Sequence, residues 1–267
     1  MVSALDSRLA ERRAEGRAAL VGYLPAGFPS PDGALAVARA MVEGGCDVIE
    51  VGLPYSDPVL DGPAIQQAVD QALRAGVGPK DVLRTVEAAS SAGAATLVMT
   101  YWNPVERQGP ERFAADLAAA GGSGVILPDL PPEEAGAWLS AAEDHGLDSV
   151  FLVAPSSSEE RVAAVCAASS GFVYAASLMG VTGVLAVSSG ARDLVARTRQ
   201  HTDLPVCVGL GVSTPEQAEE VAAYADGVIV GTAFVRAVLE APDEAAGAAA
   251  AGELAGRLAA GVRAGRS

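Results

Sequence analysis

Three carboxylates stand out in the segment Asp47-Val-Ile-Glu-Val-Gly-Leu-Pro-Tyr-Ser-Asp-Pro-Val-Leu-Asp-Gly-Pro63. Glu50 falls inside a short apolar run that reads as a strand, where Glu is depleted and expensive to bury unpaired. Asp57 and Asp61 fall in the Pro- and Gly-rich loop that follows. A strand-borne and a loop-borne carboxylate held at different depths suit a reaction that moves two protons. Each has an ordinary reading too. Glu50 could be a structural carboxylate paired with a buried Arg or backbone donors, Asp61 could cap a helix starting at Pro63, and Asp57-Pro58 could be a turn.

The elements that must position these groups follow from pattern. Apolar runs at Ala19–Leu24, Val48–Leu53, Ala95–Tyr101, Gly124–Leu127, Ser149–Val153, Phe172–Ala176, Pro205–Gly209 and Gly227–Val230 are rich in Val and Ile. They lack clean alternation, as strands buried on both faces do. Amphipathic segments alternate with them: Pro31–Glu43, Pro63–Arg74, Pro110–Ala120, Pro132–His145, Ser158–Ala168, Arg192–Gln200 and Thr214–Tyr224. Ser30-Pro31, Ser158-Glu159 and Thr214-Pro215 are helix starts, and Gly146 and Gly171 are helix stops. Lys80–Ser90 reads as an additional helix, Met1–Gly16 as an amphipathic N-terminal one and Asp243–Arg263 as an Ala-rich closing one. Eight strand–helix units in 267 residues predict an α/β fold, a (β/α)8 TIM barrel, with residues 1–267 as a single domain and an N-terminal extra helix. The rival, a doubly wound open sheet, lacks its G-x-G-x-x-G signature after the first strand.

Composition narrows the function. The net charge of −15 disfavours nucleic acid and anionic membranes. Cys46, Cys166 and Cys207 are scattered in apolar surroundings, the pattern of reduced core thiols in a cytoplasmic protein. With only His145 and His201 besides, no metal-ligand spacing occurs. The uncharged stretch from Val162 to Ala191 is long enough for a membrane span, but Ser169-Ser170-Gly171, Gly180, Gly183 and Ser188-Ser189-Gly190 divide it into a helix tail, a strand and a loop.

In such a barrel chemistry sits where strands end. The strand ends supply Tyr23, Glu50, Tyr101 with Asn103, Asp129, and Tyr174 followed by Gly180-Val-Thr-Gly183. Gly209-Leu-Gly211-Val-Ser213 and Gly231-Thr232-Ala233 follow the last two strands, where barrels commonly bind phosphate through backbone N–H groups. Neither loop has a Lys or Arg, so neutral donors would have to hold the anion. The glycines could equally serve tight turns, Tyr23 and Tyr174 the core, Asp129 a loop anchor or helix cap, and Thr182 a polar loop.

The chain resembles the tryptophan synthase α subunit family along nearly its whole length. The carrying motifs are Glu50-Val-Gly-Leu-Pro-Tyr-Ser-Asp-Pro-Val-Leu-Asp61-Gly-Pro, Gly27-Phe-Pro29, Tyr101-Trp-Asn-Pro104, Pro128-Asp-Leu-Pro131, Gly180-Val-Thr-Gly183, Gly209-Leu-Gly211 and Gly231-Thr-Ala233. The resemblance implies retro-aldol cleavage of indole-3-glycerol phosphate to indole and glyceraldehyde 3-phosphate. Glu50 is then the main acid/base and Asp61 the group that takes the indole N1–H. Tyr23, Tyr101 and Tyr174 line the substrate, Thr182 ties a loop to Asp61, and Gly183, Gly211, Gly231 and Thr232 hold the phosphate. It implies no cofactor in this chain. The implied partner is a β subunit using pyridoxal phosphate, in an α2β2 assembly, contacted through Pro54–Pro63 and segments near Asn103 and Asp129. A stand-alone lyase releasing free indole is the alternative. A degenerate activating subunit and another phosphate-binding barrel, such as an isomerase or epimerase, are more distant. Leu178-Met179 and Pro25 depart from the family pattern, which bears on loop closure.

Overall fold

A computed structural model of the protein describes residues 3–57, 61–176, 184–209 and 211–266, the side chains of 184–189 excepted. Its strands are β1 (Ala19–Pro25), β2 (Val48–Gly52), β3 (Ala95–Met99), β4 (Gly124–Ile126), β5 (Asp148–Val150), β6 (Leu152–Val153), β7 (Val173–Ala176), β8 (Val206–Gly209) and β9 (Gly227–Val230). All pair in parallel, in the order β5-β4-β3-β2-β1-β9-β8-β7-β6. The run expected as one strand at Ser149–Val153 is two strands interrupted at Phe151. β5 pairs with β4 and β6 with β7, so this one segment brings the two ends of the sheet together into a nearly closed barrel. Val150 O accepts from Leu127 N (3.3 Å) and Phe151 O from Tyr174 N (3.1 Å), which continues the bonding across the bend.

The helices are α1 (Ala4–Ala14), α2 (Pro31–Gly44), α3 (Pro63–Arg74), α4 (Pro79–Ser91), α5 (Trp102–Gln108), α6 (Pro110–Ala119), α7 (Gly136–Asp144), α8 (Glu159–Ala168), α9 (Val184–Thr198), α10 (Pro215–Ala222), α11 (Thr232–Leu239) and α12 (Glu244–Ala264). The expected caps form. Ser30, Ser158 and Thr214 accept from the N–H groups of Gly33, Arg161 and Gln217. Two features differ from expectation, and the Gly231 loop behaves as its sequence suggests. Ser188-Ser189-Gly190 lies inside α9 and not in a loop: the buried row Ala191, Leu194, Val195 and Thr198 anchors the helix, and the propensity cost of a helical Gly, about 1 kcal/mol, is outweighed. The third strand stops at Met99, and Trp102–Gln108 winds into α5 with Tyr101 as N-cap. The Gly231 loop leads directly into α11. Among the described residues no helix is long and apolar enough to cross a membrane.

Inward-facing residues form their own apolar cluster, distinct from the one under the outer helices. Val21, Val48, Leu97, Ile126, Val150, Phe172 and Ile229 meet there. One end of the barrel is plugged by Leu5 and Leu9 of α1, both buried. Helix α1 is held by its Ser3 cap, whose hydroxyl also donates to Asp148 (2.6 Å). Near its other end a buried carboxylate, Asp47, binds the segment leading into β1. Asp47 accepts two bonds from Arg17 (2.8 and 2.9 Å) and one from Leu20 N (2.9 Å), with Arg12 at 3.4 Å.

Arg12 Nε finds no partner here, but the Asp47 carboxylate accepts from Arg17 and Leu20 N, so deleting this anion is more harmful than its net contribution suggests. Asp47→Ala leaves Arg12 and Arg17 without their shared buried counter-charge. It is expected to destabilise the protein by about 3–5 kcal/mol, read as a lowered urea midpoint at pH 7. Arg13→Ala, at an exposed neighbour, should leave that midpoint within ~0.5 kcal/mol equivalent.

Candidate active site

At the end of the barrel opposite α1, strand register sets the site. Tyr23 and Glu50 are paired neighbours on β1 and β2. By the two-residue period they face the same way as Val21 and Val48, into the barrel. Glu50 is 1 % exposed and its Oε1 has no hydrogen-bond partner. Removal from water without a compensating donor disfavours the anion, and burial pushes the Glu50 carboxyl up to about 8. The structural reading of Glu50, a carboxylate satisfied by an Arg or by backbone donors, is therefore not what the fold builds.

Asp61 follows the β2 loop. Its side chain does not cap α3: Gly62 is the N-cap, with no side-chain cap bond. Instead the Asp61 backbone carbonyl accepts from Gln66 Nε2 (2.7 Å), which fixes the residue to the first turn of α3. Partial burial raises the Asp61 carboxyl as well. Asp57 is exposed and accepts from Ser56 Oγ (2.6 Å), a local turn contact.

Three tyrosines surround the pair. Tyr23 and Tyr101 are buried and Tyr174 is half-buried. Burial raises the Tyr23 phenol, and the charges of Asp61 and Glu50 raise it further. Burial likewise raises Tyr174, with Glu50 again contributing. Glu50, Asp61, Tyr23, Tyr101 and Tyr174 thus lie within one another's electrostatic reach. The rings have room because two strand ends are glycine. A Cβ at Gly52 would overlap the Tyr23 hydroxyl, and one at Gly209 would overlap the Tyr174 hydroxyl. Gly209, grouped in sequence with the anion loops, thus makes space for an aromatic ring.

Gly231 continues the ring of groups: a Cβ there would touch the Tyr23 ring at 3.4 Å. It is the N-cap of α11 without a side-chain cap bond, so Thr232 and the next residues carry first-turn N–H groups that a helix leaves unpaired. Gly211 is exposed and left-handed (φ 77°), a conformation that glycine adopts freely. These loops follow β8 and β9, which are adjacent in the sheet. Thr182, Gly183 and the Leu178-Met179 pair lie outside the described residues. Pro25 is the last residue of β1. Asp129 accepts twice from Trp102 N (2.9 and 3.1 Å), so it anchors the start of α5 to the β4 loop. Among the described residues no group of His, Cys, Asp and Glu is arranged to hold a metal ion.

Two residues were not singled out from sequence. Tyr55, in the loop after β2, packs its ring 5.2 Å from that of Tyr101 at 36°. Gln66 holds Asp61 from α3. Tyr55 stood in view between Glu50 and Asp61, but nothing in the pattern says which aromatic it meets. Gln66 lies on an exposed helix face and carries no signal.

A family model described as tryptophan synthase alpha chain matches residues 9–263. The tryptophan synthase alpha chain of Thermobifida fusca is 64% identical over 246 residues, covering 91% of each chain. That of Streptomyces avermitilis is 63% identical, covering 98% of this chain and 95% of the relative. Among solved structures, a tryptophan synthase chain from Mycobacterium tuberculosis superposes with a TM-score of 0.92 at 55% identity, covering 98% of this chain and 99% of that one. Tryptophan synthase subunit alpha from Legionella pneumophila gives a TM-score of 0.90 at 33% identity over 98% of this chain and 99% of that one.

Two outcomes follow from the packing alone. Glu50 has a folded pKa above its unfolded value, so the folded state holds a proton that the unfolded chain releases. Stability therefore falls as pH rises from about 4.5 to about 8 and is flat beyond. Glu50→Gln should match the wild type near pH 4.5 in urea unfolding and exceed it by several kcal/mol at pH 8.5. Gly209→Ala should lose about 1–3 kcal/mol through overpacking. Adding Tyr174→Phe, which removes the colliding oxygen, should recover part of that loss in the same measurement.

Proposed function

The chain belongs to the tryptophan synthase alpha chain family, whose members are lyases that cleave indole-3-glycerol phosphate, and we propose that Glu50 and Asp61 are its catalytic pair. The observation that carries this reading is the buried Glu50 carboxyl, its Oε1 unpartnered and its proton affinity raised by burial, in a tyrosine-lined mouth.

The chemistry needs a proton at indole C3 before the C3–glyceryl bond can break. Glu50, protonated at neutral pH, gives its proton to C3 while Asp61 takes the N1 proton. The resulting carboxylate of Glu50 then accepts the proton of the adjacent glyceryl hydroxyl. The hydroxyl electrons form the aldehyde C=O. The electrons of the breaking C–C bond restore the C2–C3 double bond as N1 recovers its proton. Atoms balance: one substrate gives indole and glyceraldehyde 3-phosphate. A carboxyl near pH 8 serves both directions of transfer. Tyr23, Tyr101 and Tyr174 line the indole and glyceryl parts. Gly211, Gly231 and Thr232, with Thr182 and Gly183, hold the phosphate and close the site. Backbone dipoles let a chain of net charge −15 accept an anion without a cation beside it.

These steps call on no cofactor within this chain. We assign it a β-subunit partner that uses pyridoxal phosphate, an α2β2 assembly, a cytoplasmic setting and a single domain over residues 1–267. Exposure of Ser56 and Asp57 on the loop joining the two carboxylates supports Pro54–Pro63 as the partner-facing surface.

Cleavage assays on indole-3-glycerol phosphate test the assignment. Glu50→Gln should lose about 10²–10⁴-fold in kcat, and the wild-type rate should decline above about pH 8 as Glu50 loses its proton before turnover. A Glu50→Gln rate near wild type sinks the role given to Glu50. Added β subunit should accelerate the reaction. Full turnover that ignores the partner would support the stand-alone lyase.

A further inference from the structure

The barrel floor holds a second cavity, of about 190 Å³, remote from Glu50. It lies between α1, the residues leading into β1, β8 and β9, and the end of the chain. Its walls are Asp6, Leu9, Ala10, Arg13, Arg17, Pro205, Asp226 and Arg266. Three guanidinium groups and two carboxylates line it, in a chain whose net charge is −15. The Arg17 charge is met by Asp47 and Glu15 outside the lining.

The carboxylate Asp226 is already satisfied. It accepts from Arg266 (3.0 Å), Arg199 (2.8 Å) and Val206 N (3.0 Å) and is held below the usual carboxylate range by those bonds, against its burial. The arginines are not satisfied to the same degree. Arg266 spends Nε on Ala222 O and Nη2 on Ala225 O and Asp226, leaving Nη1 unengaged. Arg17 spends all but one of its N–H groups on Glu15, Ala18 O and Asp47. The Arg13 guanidinium makes no hydrogen bond or ion pair among the described residues. Unused guanidinium donors therefore border one cavity that also presents an apolar wall, Leu9, Ala10 and Pro205, beside the carboxylates of Asp6 and Asp226. At ~30 Å³ per water the volume holds about six waters, more than a bare anion needs.

We propose that this floor cavity binds a small organic monocarboxylate, its carboxylate on Arg13 and the free N–H groups of Arg266 and Arg17, its short apolar body against Leu9, Ala10 and Pro205. The unused guanidinium N–H groups suit a carboxylate, while Asp6 and Asp226 oppose a dianion such as phosphate. Arg13 is on α1 and Arg266 follows α12, so the bound acid would join the two ends of the chain.

Titration of the full-length protein with isovalerate, against sodium chloride at equal ionic strength, tests this by calorimetry and thermal unfolding. Saturable binding and a Tm increase beyond that in chloride are expected. Arg13→Gln should weaken binding about tenfold, the loss of a charged hydrogen bond. Ala10→Leu, which fills the cavity and keeps every charge, should also abolish it. Cleavage of indole-3-glycerol phosphate should stay within about twofold of wild type in both variants, because the floor is remote from Glu50. Inorganic phosphate should protect this floor site less well, read as the part of its stabilisation that Ala10→Leu removes. Equal isovalerate binding by Arg13→Gln, no effect beyond chloride, or stronger floor protection by phosphate would overturn the proposal.

Discussion

The structure turns on the closure of a parallel sheet. Once the strands close, every second side chain points at a common axis, and water has no place there. Nearly all of those positions are apolar, and the α1 leucines seal the floor. Glu50 occupies one of them. No Arg or backbone donor meets its Oε1, so the carboxyl keeps a proton that the same residue would lose on a surface. The proposed acid is thus produced by the architecture as a whole, and any change that admits water or a cation to the barrel axis alters it.

The two ends of the barrel divide stability from chemistry. At the floor the buried carboxylates all find partners: Asp47 pairs with Arg17 and Arg12, Asp226 with Arg199 and Arg266, and Asp148 accepts from Ser3. At the mouth, Glu50 Oε1 is left without a partner, and space is arranged by removing side chains. Gly52 and Gly209 give up a Cβ so that Tyr23 and Tyr174 can lie across the strand ends. A donor-rich mouth would satisfy Glu50 and abolish its proton affinity, so the shortage of partners is part of the site.

Much of this was legible in the sequence, for identifiable reasons. Strands buried on both faces leave unbroken Val and Ile runs, and Ser30, Ser158 and Thr214 announce helix starts by side-chain chemistry that is local. Glu50 was conspicuous because a carboxylate in such a run breaks the pattern. What escaped depends on distant partners. The bend at Phe151 exists because β5 and β6 serve different neighbours. The helicity of Ser188-Ser189-Gly190 is imposed by the buried face further along α9. The pairing of Tyr55 with Tyr101, and the reach of Gln66 to Asp61, join elements whose relative placement no local pattern encodes.

The pairing of β1 with β9 has a consequence for the order of events on the ribosome. Val21 hydrogen-bonds beside Ile229, so the ring cannot close until almost the whole chain has been synthesised, and closing so long a loop is entropically slow. Until that closure, Glu50 lacks the full burial that raises its carboxyl. The nascent chain carries a residue that becomes a weak acid only when its last strand arrives.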